Sequence, residues 1–182
     1  MTDINRRVEG SECVNLLGAD DSPLDLKYMI HAIHNGPNSG FSACGFSPTT
    51  FDQVHFPGKL NNCEACHLSP TATGLASYYP VDQNVVQATT VDAGADRSSL
   101  TDDVAWSPNV AVCSGCHVSA AAEAHMLQNG GSKTLTKNAD GSTAGGPLET
   151  CQLCHGPDRV ADAKVMHGVD NFEFQAPVNP SP

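Results

Sequence analysis

Apolar residues fall into periodic runs in only a few places along this chain. Between them lie long stretches rich in Gly, Pro, Ser, Thr and Asn. The clearest run predicts a helix over residues 22–36. Ser22 suits an N-cap, Pro23 the first helical position and Asp25 the place of a capping-box acid, while Gly36-Pro37 stops the body LDLKYMIHAIHN. A second helix is expected from about His117 to Gln128, through the Ala-rich VSAAAEAHMLQ, ending at Gly130-Gly131. A last short helix is expected over 157–167. Residues 36–62 and most of 68–106 read as loop, and 132–147 as a loop or small hairpin around Asp140-Gly141. No segment alternates as a strand would. The pattern predicts a mainly α chain with extensive loops and little or no sheet. It has an irregular start (1–21), a central domain (22–170) and an extended tail (171–182).

Composition changes that picture. The chain has 182 residues, only 5% of them aromatic, which is thin for a core built from side chains alone. Lys and Arg number 9 against 20 Asp and Glu, a net charge of −11, so no basic footprint exists to neutralise nucleic-acid phosphates. No run approaches the roughly 18 apolar residues of a helical membrane span. The polar start, MTDINRRVEG, carries no signal-peptide core.

The chain's 8 Cys and 8 His supply what the side chains lack. Six Cys form three identical motifs: Cys63-Glu-Ala-Cys66-His67, Cys113-Ser-Gly-Cys116-His117 and Cys151-Gln-Leu-Cys154-His155. CxxCH attaches c-type haem: two thiols add to the two vinyl groups of one porphyrin, and the adjacent His ligates the iron. At this Cys and His content, chance yields on the order of 0.015 such motifs. Zinc usually takes two CxxC pairs per ion, leaving one pair over, and needs no His after each. A thioredoxin-type CxxC occurs once, in a βαβ context absent here. Three covalent haems c are therefore expected, organising a multihaem cytochrome c fold around large flat apolar surfaces.

A second His on each iron would make the haems electron carriers, whereas an open position would suggest catalysis. His31 and His34 share a face of the first helix and are candidate ligands for two neighbouring haems. His125, on the Ala-rich helix, and His167, beside Gly168, are further candidates. His55 lies in a Phe/Pro-rich loop and reads as a surface residue. Met29, Met126 and Met166 each lie beside a candidate His and read as packing. Cys13 and Cys44 bracket the first helix and are a possible disulfide, since haem c is attached in an exported compartment where disulfides persist.

These segments resemble the second pentahaem domain of the decahaem outer-membrane cytochromes, the OmcA/MtrC family. LDLKYMIHAIHNG looks like that family's double-His helix, VHFPGKLNNCEACH like the haem motif that follows it, and SPNVAVCSGCHVSAAAEAHMLQNGG and ETCQLCHGPDRVADAKVMHG like the last two. In the family two more CxxCH motifs precede the double-His helix, and a segment like TDINRR follows the second. The resemblance implies that this chain begins just past that point. Four distal candidates then face three haems, so one belongs to a haem outside the chain, or one haem lacks its partner.

The resemblance further implies an exported protein of the cell surface, outer membrane or periplasm. Its role would be electron transfer in anaerobic respiration, toward metal oxides, soluble metal or flavin acceptors. Its partners would be other multihaem cytochromes or the preceding part of the same protein. The alternative from a different class is a multihaem reductase with one open iron; its basic residues form no evident cluster beyond Arg6-Arg7.

Overall fold

The computed structural model describes residues 26–39, 42–43, 49–51, 53–61, 63, 66–67, 88–90, 101–145 and 148–168. Within them the first predicted helix is present as α1 (Leu26–Asn35). Tyr28, Ala32 and Asn35 are buried at i, i+4 and i+7, one face of a helix. Tyr28 meets Trp106 edge-on at 5.1 Å, and Met29, Ile33 and Phe51 complete this small apolar cluster. Gly36 ends α1 as expected. Its φ is +56°, and a Cβ there would stand 2.2 Å from the Val54 carbonyl oxygen, so only glycine fits both the turn and the close approach.

The described residues are less purely helical than the pattern predicts. Strands β1 (Ser42–Ala43) and β2 (Thr49–Thr50) pair antiparallel. Strands β3 (Ala88–Thr90), β4 (Val104–Trp106) and β5 (Leu135–Thr136) form a second antiparallel sheet with β4 central. Each strand is two or three residues long, too short for an alternating pattern to show. In β4 only Ala105 is fully buried; it pairs with the buried Leu135. Past β5 the chain turns back through a hairpin, with Lys137 bridged to Thr143 and Gly141 at φ +81°, the turn expected at Asp140-Gly141.

A helix absent from the sequence expectation, α2 (Pro108–Cys113), is the most buried element described: Pro108, Asn109, Val110 and Ala111 all lie inside. It packs against α1. Ser107 precedes it but does not cap it in the usual way. Buried Glu149 takes that role from 40 residues away, accepting hydrogen bonds from the Asn109 and Val110 amides, the Asn109 side-chain amide (2.7 Å) and the Ser107 hydroxyl (2.6 Å).

The second predicted helix is α3 (Ala120–Gln128). It starts three residues later than expected, because the Ser119 hydroxyl accepts from the Ala122 amide and so sets the N-cap there. Only Met126 of α3 is buried. The expected helix over 157–167 is shorter. Helix α4 (Gln152–His155) precedes it and only α5 (Ala163–Met166) lies within it. Between them Asp158 adopts φ +60°, its amide donating to the Asp162 carboxylate, which also accepts from Lys164 N to start α5. Among the described residues no helix is long and apolar enough to cross a membrane.

Candidate functional site

The three CxxCH segments adopt one backbone conformation in three different settings. In each, the second Cys amide donates to the first Cys carbonyl (3.1, 3.1 and 3.2 Å) and the His amide donates to that same carbonyl (2.8 Å in all three). This single helical turn brings Cys i and i+3 to one side. Among the described residues all six of these cysteines are free thiols. Burial raises the Cys113 thiol to about 12 and the Cys151 thiol to about 11, with the Glu149 charge adding to both.

Each motif histidine faces one distant imidazole, and the three spacings agree. His67 faces His31 at 6.0 Å between ring centres, His117 faces His167 at 5.9 Å, and His155 faces His125 at 6.0 Å. The ring planes differ: 17° apart in the first pair, 67° in the second and 89° in the third. Two imidazoles that each bind one ion at about 2.0–2.1 Å place their ring centres ~6 Å apart, so each pair could hold a metal between its nitrogens.

The ring orientations fit the same use. Nδ1 of His31 lies 2.5 Å from the Lys27 carbonyl oxygen, Nδ1 of His167 2.6 Å from that of Ala163, and Nδ1 of His155 2.9 Å from that of Ala161. A carbonyl accepts only, so Nδ1 is the donor, and in the neutral ring this leaves the Nε2 lone pair for a ligand. Burial, and then the charge of the facing His, pull His67 and His117 below the ordinary imidazole value, favouring the neutral form a ligand needs. Around these pairs, apolar side chains stand in the open: Leu148, Leu153, Val165 and Met166 are all more than half exposed. A large flat apolar group held by the cysteines would cover such surface.

The second motif lies within electrostatic reach of both others. Cys116 interacts electrostatically with Cys63, Cys113 with Cys151, and His117 with His155. The Asn35 side-chain amide donates to the Gly115 carbonyl at 3.1 Å, binding the end of α1 to the second motif, and the Cys116 thiol points at the His31 carbonyl. Asn61, just before the first motif, donates to the His167 carbonyl at 2.7 Å.

Of the predicted ligand residues, His31, His125 and His167 are thus brought to motif histidines. His34 is not: its ring lies 4.9 Å from Phe56. His55 is exposed. Met126 is buried, Met29 packs on the α1 cluster and Met166 is exposed. Cys13 and Cys44 lie outside the described residues. Sequence reasoning missed Glu149 and Asn35; nothing short of the tertiary contacts marks either. Among the described residues no three His, Cys, Asp or Glu side chains converge as a bare ion site would require.

The description "Outer membrane cytochrome MtrC/MtrF-like, domains II/IV" matches residues 7–168. No curated protein and no solved structure matches the chain. The family match spans most of the sequence and contains all three CxxCH motifs, and by it the chain belongs to the MtrC/MtrF-like outer membrane cytochromes.

Proposed function

We propose that the chain is an electron-transfer module carrying three covalent haems c within a domain at residues 22–170, each iron held between two imidazoles. The thioether pairs are Cys63/Cys66, Cys113/Cys116 and Cys151/Cys154. The ligand pairs are His67 with His31, His117 with His167, and His155 with His125. The observation that carries this reading is that every motif histidine faces a second imidazole at the same 5.9–6.0 Å. When bound, each haem supplies one-electron chemistry by cycling between ferric and ferrous iron.

The chain's own residues do the rest. The cysteines fix each ring, and the Nδ1 contacts to backbone carbonyls set the tautomer of His31, His155 and His167. The electrostatic links of the second motif to both others support the order first–second–third, with the site at Cys113 in the middle of the row. A reductase with an open iron requires a motif histidine without a facing ring, and each of the three has one. His34 remains a candidate ligand for an iron carried outside this chain, by a preceding segment or a partner cytochrome. The chain would work in an exported setting at the cell surface, passing electrons to metal or flavin acceptors.

The test is to produce the chain with an export signal in a host that attaches haem c. Intact mass should show three haems, and the oxidised and reduced optical spectra should be entirely low-spin. Fewer than three haems, or a high-spin fraction in the unmodified protein, would refute the reading.

A further inference from the structure

Glu149 is a buried carboxylate, 8% exposed, whose hydrogen-bond partners are all neutral. One oxygen accepts from the Ser107 hydroxyl and the Val110 amide, and the other from the Asn109 backbone and side-chain amides. Every one of these groups donates. Both oxygens therefore act only as acceptors, the pattern of an ionised carboxylate. No cation is among those partners, so the negative charge is held by dipoles rather than cancelled.

Its position relative to the proposed haems is set by chain geometry. Glu149 lies two residues before Cys151, and it clasps the first turn of α2, whose last residue is Cys113. The charge is felt at both thiols, raising each. The clasp does not involve the first motif, which is tied to the fold through Asn61 and the His167 carbonyl instead. Buried charge is only weakly screened by salt. A fixed negative charge stabilises ferric over ferrous iron, because reduction adds one electron to the haem beside it.

Resting on the haem reading above, we infer that Glu149 is an electrostatic tuning residue. It lowers the reduction potentials of the haems at Cys113/Cys116 and Cys151/Cys154 and leaves the haem at Cys63/Cys66 unaffected. The middle and third positions of the row are thereby biased to give up electrons toward the first. The capping hydrogen bonds and the tuning charge belong to one side chain, so the two roles must be separated experimentally.

The experiment is a potentiometric titration of the holoprotein followed by NMR, in which each haem's methyl resonances report its own midpoint. Glu149→Gln removes the charge and keeps a hydrogen-bonding side chain of the same length. It should move the second and third midpoints positive and leave the first in place, in low and in high salt alike. Asn109→Ala weakens the same clasp but keeps the charge; it should lower the melting temperature without the positive shift. Unmoved midpoints in Glu149→Gln, or an equal shift in Asn109→Ala, would overturn the inference.

If Glu149→Gln does not accumulate as holoprotein, infrared difference spectra of 13C-glutamate-labelled wild type replace it. A carboxylate band should shift as the second and third haems are reduced, and its absence would overturn the inference. Failure to find haem at all would sink the functional reading instead, and the haem content of the wild type separates that case.

Discussion

Gly115, inside the second motif, is where the proposed first and second haem sites are pressed together. A Cβ built on it would lie 2.8 Å from His31 Cβ, 3.1 Å from Ala32 N and 3.3 Å from the Tyr28 carbonyl oxygen. All three neighbours belong to α1, and two are backbone, so no side-chain rotation relieves the contact. Gly115→Ala therefore forces α1 away from the motif. Ordinary carbon–carbon contact begins at roughly 3.5 Å, which demands a retreat of about 0.7 Å. A metal–nitrogen bond tolerates only about 0.2 Å. In the proposed holoprotein, a bond between His31 and the first iron would therefore be the weakest point, and it should fail before the helix packing does.

Overpacking of this kind costs about 1–3 kcal/mol, or about 2–12 °C in melting temperature for a chain of this size. The expected result is three haems by mass, with one of the three converted to high spin in the oxidised optical spectrum and a lower melting temperature. Gly145→Ala is the matched control: its Cβ would meet nothing within 4 Å, so it should change neither quantity. If Gly115→Ala keeps all three haems low-spin and melts with the wild type, the close packing of α1 on the second motif is refuted.

Three other outcomes are expected. His31→Ala, His167→Ala and His125→Ala should each turn a different single haem high-spin, whereas His34→Ala should turn none; optical spectra at equal haem content decide this, and any other pattern refutes the pairing. The ring planes of the first pair are nearly parallel and those of the other two steeply inclined, so the ferric EPR spectrum should contain one rhombic low-spin signal and two of larger anisotropy. Replacing all six motif cysteines with Ser should leave Leu148, Leu153, Val165 and Met166 uncovered and abolish cooperative melting, read by circular dichroism.

What was legible in the sequence was local. The CxxCH motifs need only a turn of helix, and each is found in that turn. The end of α1 at Gly36 and the hairpin at Asp140-Gly141 follow from the φ values those glycines adopt. The choice between His31 and His34 was not legible. Both lie on α1, three residues apart, and the difference arises because residues distant in sequence bring His67 to one ring and Phe56 to the other. Helix α2 was missed for a similar reason. Six residues are too few for a periodic signal, and its start is secured by Glu149, a partner that no local pattern announces. The short strands escaped because pairing, not alternation, defines them.

The broken helix after the third motif shows how local and distant requirements meet. A continuous helix through 157–167 would carry the chain away from His155. Instead Gly156 and Asp158 turn it back, so that the Ala161 amide donates to the Cys154 carbonyl at 3.0 Å and the Ala161 carbonyl reaches His155 Nδ1 at 2.9 Å. The motif histidine of the third site is thus oriented by the loop that a helix would have removed. Having made that contact, the chain restarts as α5 and ends it at His167, whose ring bonds back to Ala163 within its own turn and faces the second motif. His31 repeats this with Lys27 on α1. His125 stands apart: its Nδ1 lies 3.5 Å from the Asn129 amide, which donates instead to the His125 carbonyl at 2.8 Å. In the third pair the firm orientation therefore comes from His155 alone. The helix break is accordingly what makes that site, and the residues that end α4 and delay α5 serve the candidate ligands on both sides of them.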